Sequence, residues 1–342
     1  LLINGGMFWL SKFKRYFIQH CAGCGYWFGL TYLLFIFAGL YYMVIFYFCP
    51  KVYGADVLPQ ITALCSFIVC EAAINCIMFN LRAKYNRLDR VLARQNQALL
   101  PVSGFSIAND DGARLKTRYC SHCRAQVPKL CYHCPLCNYC VFKKDHHCFF
   151  LGGCVGFGNQ RYFVVFLFWS IVGSALAVYF TFRFLTETFH PFFPFGWFDY
   201  LLPVVIVKAI VYGQYSAFDM ACLISFYIAI SSLCASVSFF IAQWLFVLTG
   251  RSMLGYFQMT DVFFGKEHPT IRQRIEVVFG PYWLLNFMIP MPYFNQPDKT
   301  YNQQQYKTTC LLFRKISKQH STGVRNLLAH DLVFDLDYRR SN

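Results

Sequence analysis

Acidic side chains are scarce: 16 Asp and Glu stand against 31 Lys and Arg in 342 residues, and all charged residues together make up 14%. That share excludes an acidic disordered chain and sits well below the roughly one quarter of an ordinary soluble domain. The net charge of +15 comes without a helix-turn-helix or RNP-like pattern, so no nucleic-acid partner is expected. There is no repeat of the whole chain. The first apolar run is too long for a signal-peptide h-region, and no small-residue cleavage site follows it. No cleavable leader is therefore expected, while a first residue other than Met fits a trimmed or incomplete chain.

What fills the sequence instead is apolar: 57% of residues are hydrophobic. Residues 27–48 carry no charge and residues 57–81 carry only Glu71; residues 162–184 and 222–248 form two further long runs. Each is long enough to cross about 30 Å of hydrocarbon as a helix. Residues 200–212 are apolar too, but with Pro203 and Lys208 they are too short to cross, and an interfacial or re-entrant segment is expected. Of the Lys and Arg, three precede the first span, thirteen lie between the second and third, and twelve follow the fourth. By the positive-inside rule the amino terminus, central loop and tail are cytosolic, which four crossings satisfy and five do not. The organisation expected is a cytosolic segment 1–26, spans 1 and 2 in 27–81, a cytosolic loop 82–161, spans 3 and 4 with a lumenal connection in 162–248, and a cytosolic tail 249–342.

Within the loop, residues 82–100 read as a basic polar helix with a modest stripe at Leu88, Val91, Leu92 and Leu99, and residues 101–111 as a flexible connection. Past the fourth span, residues 281–294 are aromatic-rich and expected in the interface, and the last 48 read as a polar tail. Glu71 has Asn75 one turn on, so an intramembrane acid is either functional or structural glue paired with Gln243, Lys208 or another helix. Cys21 and Cys24 flank the first span as acylation candidates or ordinary thiols.

Seventeen cysteines in a small secreted chain would mean disulfides, but eight lie between Cys120 and Cys154, in the loop assigned to a reducing compartment. Cys120, Cys123, His133, Cys134, Cys137, Cys140, His147 and Cys154 provide two sets of four, which is what two tetrahedral zinc ions need. Sequential and interleaved pairings are both open on spacing. A RING-type crossover would need a further Cys-x2-Cys pair at the end of the run, which is absent. His122 and Cys131 are left over as non-ligands. Zinc would supply folding energy to a loop whose Cys, His, Gly and Pro deny it long regular elements.

Asp145, His146 and Cys148 remain. A thiol with an ordinary pKa near 8.5 needs a base or cation beside it to react, and an acid behind a histidine orients that base. The alternatives for Cys148 are a further zinc ligand or an inert thiol. Lys143 and Lys144 add positive potential.

The run from Cys120 through Pro128, Asp145-His146-His147-Cys148, Cys154, Gly156 and Asn159 to Phe163 resembles the DHHC-type protein S-acyltransferases, membrane zinc enzymes that palmitoylate cysteines. With the two-plus-two spans, the resemblance covers more than half of the chain. It implies an α-helical polytopic membrane protein with four transmembrane helices and a cytosolic two-zinc cysteine-rich domain between helices 2 and 3. One zinc would take Cys120, Cys123, His133 and Cys140, and the other Cys134, Cys137, His147 and Cys154. It also implies that Cys148 accepts an acyl group from palmitoyl-CoA and passes it to a juxtamembrane cysteine of a substrate protein, with His146 as base and Asp145 orienting it. The compartment implied is the Golgi or endoplasmic reticulum. Lys143, Lys144, Arg161 and Arg251 are candidates for coenzyme A phosphates or lipid-facing charges. The sequence departs from the family at Phe149-Phe150 in place of Pro-Trp and at Gly153 in place of Asn. Ser252 to Gly255 replaces Thr-Thr-x-Glu, and Arg274 stands where a tail Asn is usual. "LGGCVGFGN" and "FGPYW" narrow the resemblance to one vertebrate branch. These departures motivate a rival expectation, a non-catalytic zinc-containing membrane scaffold.

Overall fold

In the computed structural model the described residues are 27–83, 86–87, 117–123, 125–128, 131–188, 192–194, 196–254, 270–280 and 282–288. Four helices are long and apolar enough to cross a membrane: α1 Trp27–Val52, α2 Leu58–Ala83, α3 Gln160–Thr188 and α5 Ala217–Thr249. An 11-residue helix, α4 Leu202–Tyr212, precedes the last, and α6 Ile271–Phe279 and α7 Trp283–Met288 follow it.

More than half of the α3 span is buried, 56% against 17–22% for the other three, so α3 is the central post with α2 and α5 packed on it. In lipid such association rests on close packing rather than on hydrophobic burial, and Gly173 of α3 meets Ile68 of α2, where a Cβ would lie 3.2 Å from the Ile68 side chain. Near its carboxyl end α1 widens into a π turn at Val44–Phe48, just ahead of Pro50, whose ring excludes the carbonyl four residues back from the regular ladder. One apolar cluster joins Phe48, Phe184, Leu185, Tyr200 and Leu223. A second joins Phe79, Leu151, Val155, Tyr162, Phe163 and Phe279, fastening the cysteine-rich segment to α2, α3 and α6.

That segment is three hairpins: β1 Thr117–Cys120 with β2 Ala125–Pro128, β3 Cys131–Cys134 with β4 Tyr139–Phe142, and β5 His146–Cys148 with β6 Gly153–Val155. Asn86 and Asn159 bolt it to the helices. Asn159 Oδ1 accepts from Gly156 N (2.9 Å) and Asn86 Nδ2 (2.7 Å), its Nδ2 donates to the carbonyl of Cys154 (3.1 Å), and Asn86 Oδ1 accepts from Gly158 N (2.6 Å). Both residues are fully buried. Asn159→Ala strands several of these partners at once, and a loss of about 2–3 kcal/mol is expected. Thermal unfolding in detergent measures it, and an unchanged melting temperature would mean that the clamp carries no stability.

Three expectations are corrected. The helix foreseen at residues 82–100 does not continue α2, which ends at Ala83: Asn86 turns back on the Ala83 carbonyl (3.1 Å) and Arg87 bridges to Val141, its guanidinium 4.7 Å from the Tyr139 ring centre, while residues 88–100 lie outside the described residues. Pairing of Glu71 with Gln243 or Lys208 is also overturned. Lys208 forms an ion pair with Asp199, Gln243 is engaged elsewhere, and Glu71 Oε2 makes no hydrogen bond among the described residues. Among the described residues Asn75 donates only to the Glu71 carbonyl (2.9 Å). The third concerns Lys144 and Arg161 and is given with the site. Within the apolar stretch 200–212, Leu202–Tyr212 is a short helix, and its Ile210 is 79% exposed. Cys21, Cys24, the 101–111 connection and the polar tail lie outside the described residues.

Candidate active site and metal centres

The hairpins generate the ligand sets by a repeated device. Register places His133 opposite Cys140 and His147 opposite Cys154, so each hairpin offers a cross-strand His/Cys pair. The Cys-x2-Cys turn of the preceding hairpin closes on that pair. Cys120 and Cys123 thus meet His133 and Cys140, and Cys134 and Cys137 meet His147 and Cys154, all ligand atoms of a set within 4.8 Å of one another. Asn138 takes a left-handed φ of 55° to turn the second Cys-x2-Cys. His122 stacks on His133 with ring centres 4.6 Å apart, and Cys131 is buried; neither belongs to a set.

The donor sets fit a tetrahedral metal. Zinc bonds of about 2.3 Å to sulfur place neighbouring sulfurs about 3.7 Å apart. Sulfur pairs here are 3.5 Å (Cys120 and Cys140), 3.6 Å (Cys123 and Cys140) and 3.6 Å (Cys137 and Cys154). His133 Nδ1 lies 3.3 Å from Cys123 Sγ, and His147 Nδ1 lies 3.3 Å from Cys137 Sγ. Crowding divides the protons unevenly: hydrogen bonds from Cys137 and Cys154 hold the Cys134 thiol far below its ordinary range, and contact with Cys134 and Cys137 pushes Cys154 far above it. A dication placed among them removes that conflict.

Cys148 is in neither set. It ends β5, 8% exposed, beside His146. His146 Nδ1 donates to Asp145 Oδ2 at 2.9 Å, and the ring rests edge-on against Phe163 with centres 5.1 Å apart. Burial pulls the imidazole pKa down, but hydrogen bonds to Asp145 and Cys148 outweigh it and raise the pKa to about 9. Asp145, 3% exposed, accepts two more bonds that the sequence did not announce. Gln243 Nε2 of α5 reaches Oδ2 at 2.7 Å and the backbone N–H of Met253 reaches Oδ1 at 2.6 Å. Gly250 ends α5 in the left-handed conformation (φ 68°), and Arg251 N returns to the Phe246 carbonyl (3.0 Å), which sends the chain back toward Asp145. Because a main-chain amide makes the contact at Met253, the departure at residues 252–255 leaves it intact. Arg274 Nη1, in place of the tail Asn, bonds the Leu248 carbonyl at 2.5 Å.

An apolar cavity of about 440 Å³ opens at Cys148 and runs between the four spanning helices, bounded by Leu33, Phe37 and Val44 of α1, Ile68 of α2, Phe166 and Phe180 of α3 and Ser236 of α5. Phe163 and Phe180 both line it, 17 residues apart on one helix, so it extends roughly 25 Å into the bilayer layer. Phe149 and Phe150 close one wall: the α1 backbone passes so near that a Cβ on Gly29 would lie 2.2 Å from the Phe149 carbonyl oxygen, and Phe150 meets Tyr32 with ring centres 6.2 Å apart.

The four cations separate. Arg161 is 2% exposed with its guanidinium over Tyr162 (4.8 Å), and Lys144 is 9% exposed with Nζ toward the His133 carbonyl (3.4 Å). Neither presents its charge to solvent, which corrects their assignment to phosphate binding. Lys143 is half-buried over Phe157 (5.2 Å), and Arg251 is exposed.

These features define an α-helical polytopic membrane protein whose cysteine-rich, metal-binding insert between the second and third spans holds a Cys-His-Asp constellation at the mouth of a lipid-length cavity. Residues 114–260 match the family model described as DHHC palmitoyltransferase. The chain is 25% identical over 178 residues to palmitoyltransferase ZDHHC15A of Danio rerio, covering 47% of this chain and 54% of that protein. It is 41% identical over 71 residues to probable protein S-acyltransferase 12 of Arabidopsis thaliana (21% and 24%), and 46% identical over 55 residues to palmitoyltransferase ZDHHC2 of Rattus norvegicus (16% and 15%). The matched stretches span about half of the first relative and a quarter or less of the others.

Proposed function

We propose that the protein is a protein-cysteine S-acyltransferase, carrying a long-chain acyl group from acyl-CoA to Cys148 and on to a cysteine of a substrate protein. The observation that carries this is the position of Cys148, backed by His146 and Asp145 and opening onto an apolar cavity of acyl-chain length. Burial in that cavity favours the chain by about 0.8 kcal/mol per CH₂. The Cys148 sulfur, its proton taken by His146, attacks the thioester carbonyl carbon; the tetrahedral adduct collapses, the coenzyme A sulfur leaves, and His146 returns the proton to it. A substrate thiol then gives its proton to His146 and attacks the acyl-enzyme, expelling Cys148. The exchange of one thioester for another is nearly isoenergetic, so the site's task is activation and placement.

Two zinc ions held by the eight ligands would supply structure, fixing β5 at the membrane surface. Lys143 and Arg251 are the contacts proposed for coenzyme A phosphates. The charge distribution supports a cytosolic face for the amino terminus, insert and tail, with substrate cysteines near the same surface. Residence in Golgi or endoplasmic reticulum membranes, the domain limits given above, and kinship with the vertebrate member numbered twenty-four, on "LGGCVGFGN" and "FGPYW", belong to this reading. The scaffold alternative loses its motive, since the departures at residues 149–150 and 252–253 are accommodated in the packing.

The test feeds cells an alkyne-tagged fatty acid and maps the label on the purified protein. Hydroxylamine-sensitive label on the peptide bearing Cys148 is expected; its absence from that peptide overturns the reading.

A further inference from the structure

We propose that Gln243 is a positioning residue of the thiol site, holding the Asp145 carboxylate so that it fixes the His146 ring toward Cys148. Gln243 is the lone amide side chain of the mostly apolar α5 and is 1% exposed. A buried amide in such a helix is costly unless its polar atoms are bonded, and both are. Gln160 Nε2, at the start of α3, donates to Gln243 Oε1 (3.2 Å), which orients the amide so that Nε2 faces Asp145 Oδ2 (2.7 Å).

The geometry decides the role. Met253 N alone, on Oδ1, would leave the carboxylate free to swing about that contact. Gln243 grips the other oxygen, the same Oδ2 that accepts from His146 Nδ1, so three donors from three separate stretches fix the plane of the acid. The chain of contacts runs Gln160, Gln243, Asp145, His146, and so ties both α3 and α5, which wall the cavity, to the reactive group. Gln243 is not among the residues that line the cavity and acts on Cys148 only through Asp145.

The test uses the full chain, metal-loaded and in detergent, with two readouts. The first is the iodoacetamide alkylation rate of Cys148, followed by peptide mass spectrometry; the second, which rests on the acyl-transfer reading, is acyl loading from palmitoyl-CoA. Gln243→Met, similar in volume but without a donor, is expected to slow both by about tenfold to a hundredfold, the range for residues that orient a site from behind. KM for palmitoyl-CoA and metal content should hold, and any fall in melting temperature should leave the protein fully folded at the assay temperature. Gln243→His, which restores an N–H, should recover most of the rate, and Gln160→Met, which leaves the amide free to turn, should show a smaller loss. Wild-type rates in Gln243→Met, or a loss that follows metal content or melting temperature, overturn the proposal. Should Gln243→Met fail to fold, a wild-type alkylation rate in Gln160→Met does the same. Wild-type protein that alkylates at Cys148 but loads no acyl group would sink the transferase reading and leave this one standing.

Discussion

Cys148→Ser is expected to abolish hydroxylamine-sensitive acyl labelling, a fall on the order of a thousandfold or more, while the protein keeps its fold and its metal. The substitution changes one atom. Serine occupies nearly the same volume, so the apolar cluster containing Cys148, Leu151 and Phe163 should persist. His146 and Asp145 remain at 2.9 Å, and Gln243 and Met253 still grip the acid. What disappears is a soft sulfur nucleophile, replaced by a hydroxyl that a single imidazole activates far less readily. Any acyl group that reached the introduced hydroxyl would form an oxyester, which neutral hydroxylamine leaves in place, so the two chemistries separate in one gel. Both metal sets exclude Cys148, and the count should stay at two per chain. Equal hydroxylamine-sensitive label on the two proteins would remove Cys148 from the reaction.

Much of the architecture was legible because bilayer depth imposes a length. The four spanning helices begin and end within a few residues of the apolar runs, generally extending beyond them, since helices continue past the hydrocarbon until a cap stops them. Ser216 and Asp219 form such a cap for α5, with reciprocal side-chain and backbone bonds. The end of α2 was not legible. Residues 82–100 hold good helix formers, yet Asn86 is worth more to the fold as a bridge to Asn159 and Gly158, contacts that lie more than 70 positions away in the chain. Propensity yields to tertiary bonding there.

At the site, the ligand types and their spacing were visible, because tetrahedral coordination demands short Cys-x2-Cys pairs plus distant partners. The interleaving needs the hairpin register, which spacing does not contain. Asp145, His146 and Cys148 stood out as leftovers beside the ligands. The partners of Asp145 did not: Met253 serves through its backbone, which no side-chain motif records, and Gln243 lies 98 positions away. One signal existed for Gln243, a lone amide inside a 33-residue apolar helix, but hydropathy cannot say which face of the helix it occupies. Charge alone likewise could not distinguish Arg161, tucked over Tyr162, from Arg251 at the surface.

Removing the metal is expected to be as damaging as removing the nucleophile, by a different route. The three hairpins have strands of only three or four residues, and their own apolar clusters are small: Val127 with Cys120, Cys131 and Cys140, and Val141 with Cys134 and Cys154. Most of those buried groups are the ligands themselves. Structural zinc supplies about 10–16 kcal/mol of apparent folding energy in small cysteine-rich units, more than these clusters offer. Chelation, or Cys134→Ser, should therefore unfold the insert and release β5, scattering His146 and Cys148 and ending acyl loading. The spanning helices, whose backbone bonds are internal, should persist, so far-UV circular dichroism should keep most of its helical signal. Cys134→Ser strikes the set that contains His147, immediately before Cys148, and should cost more than Cys123→Ser in the set farther from the thiol. Metal analysis, thiol accessibility and acyl loading on the same samples check the sequence of events. Protein depleted of metal that still loads acyl groups, with its insert thiols shielded from alkylation, would show that the hairpins stand without the ions.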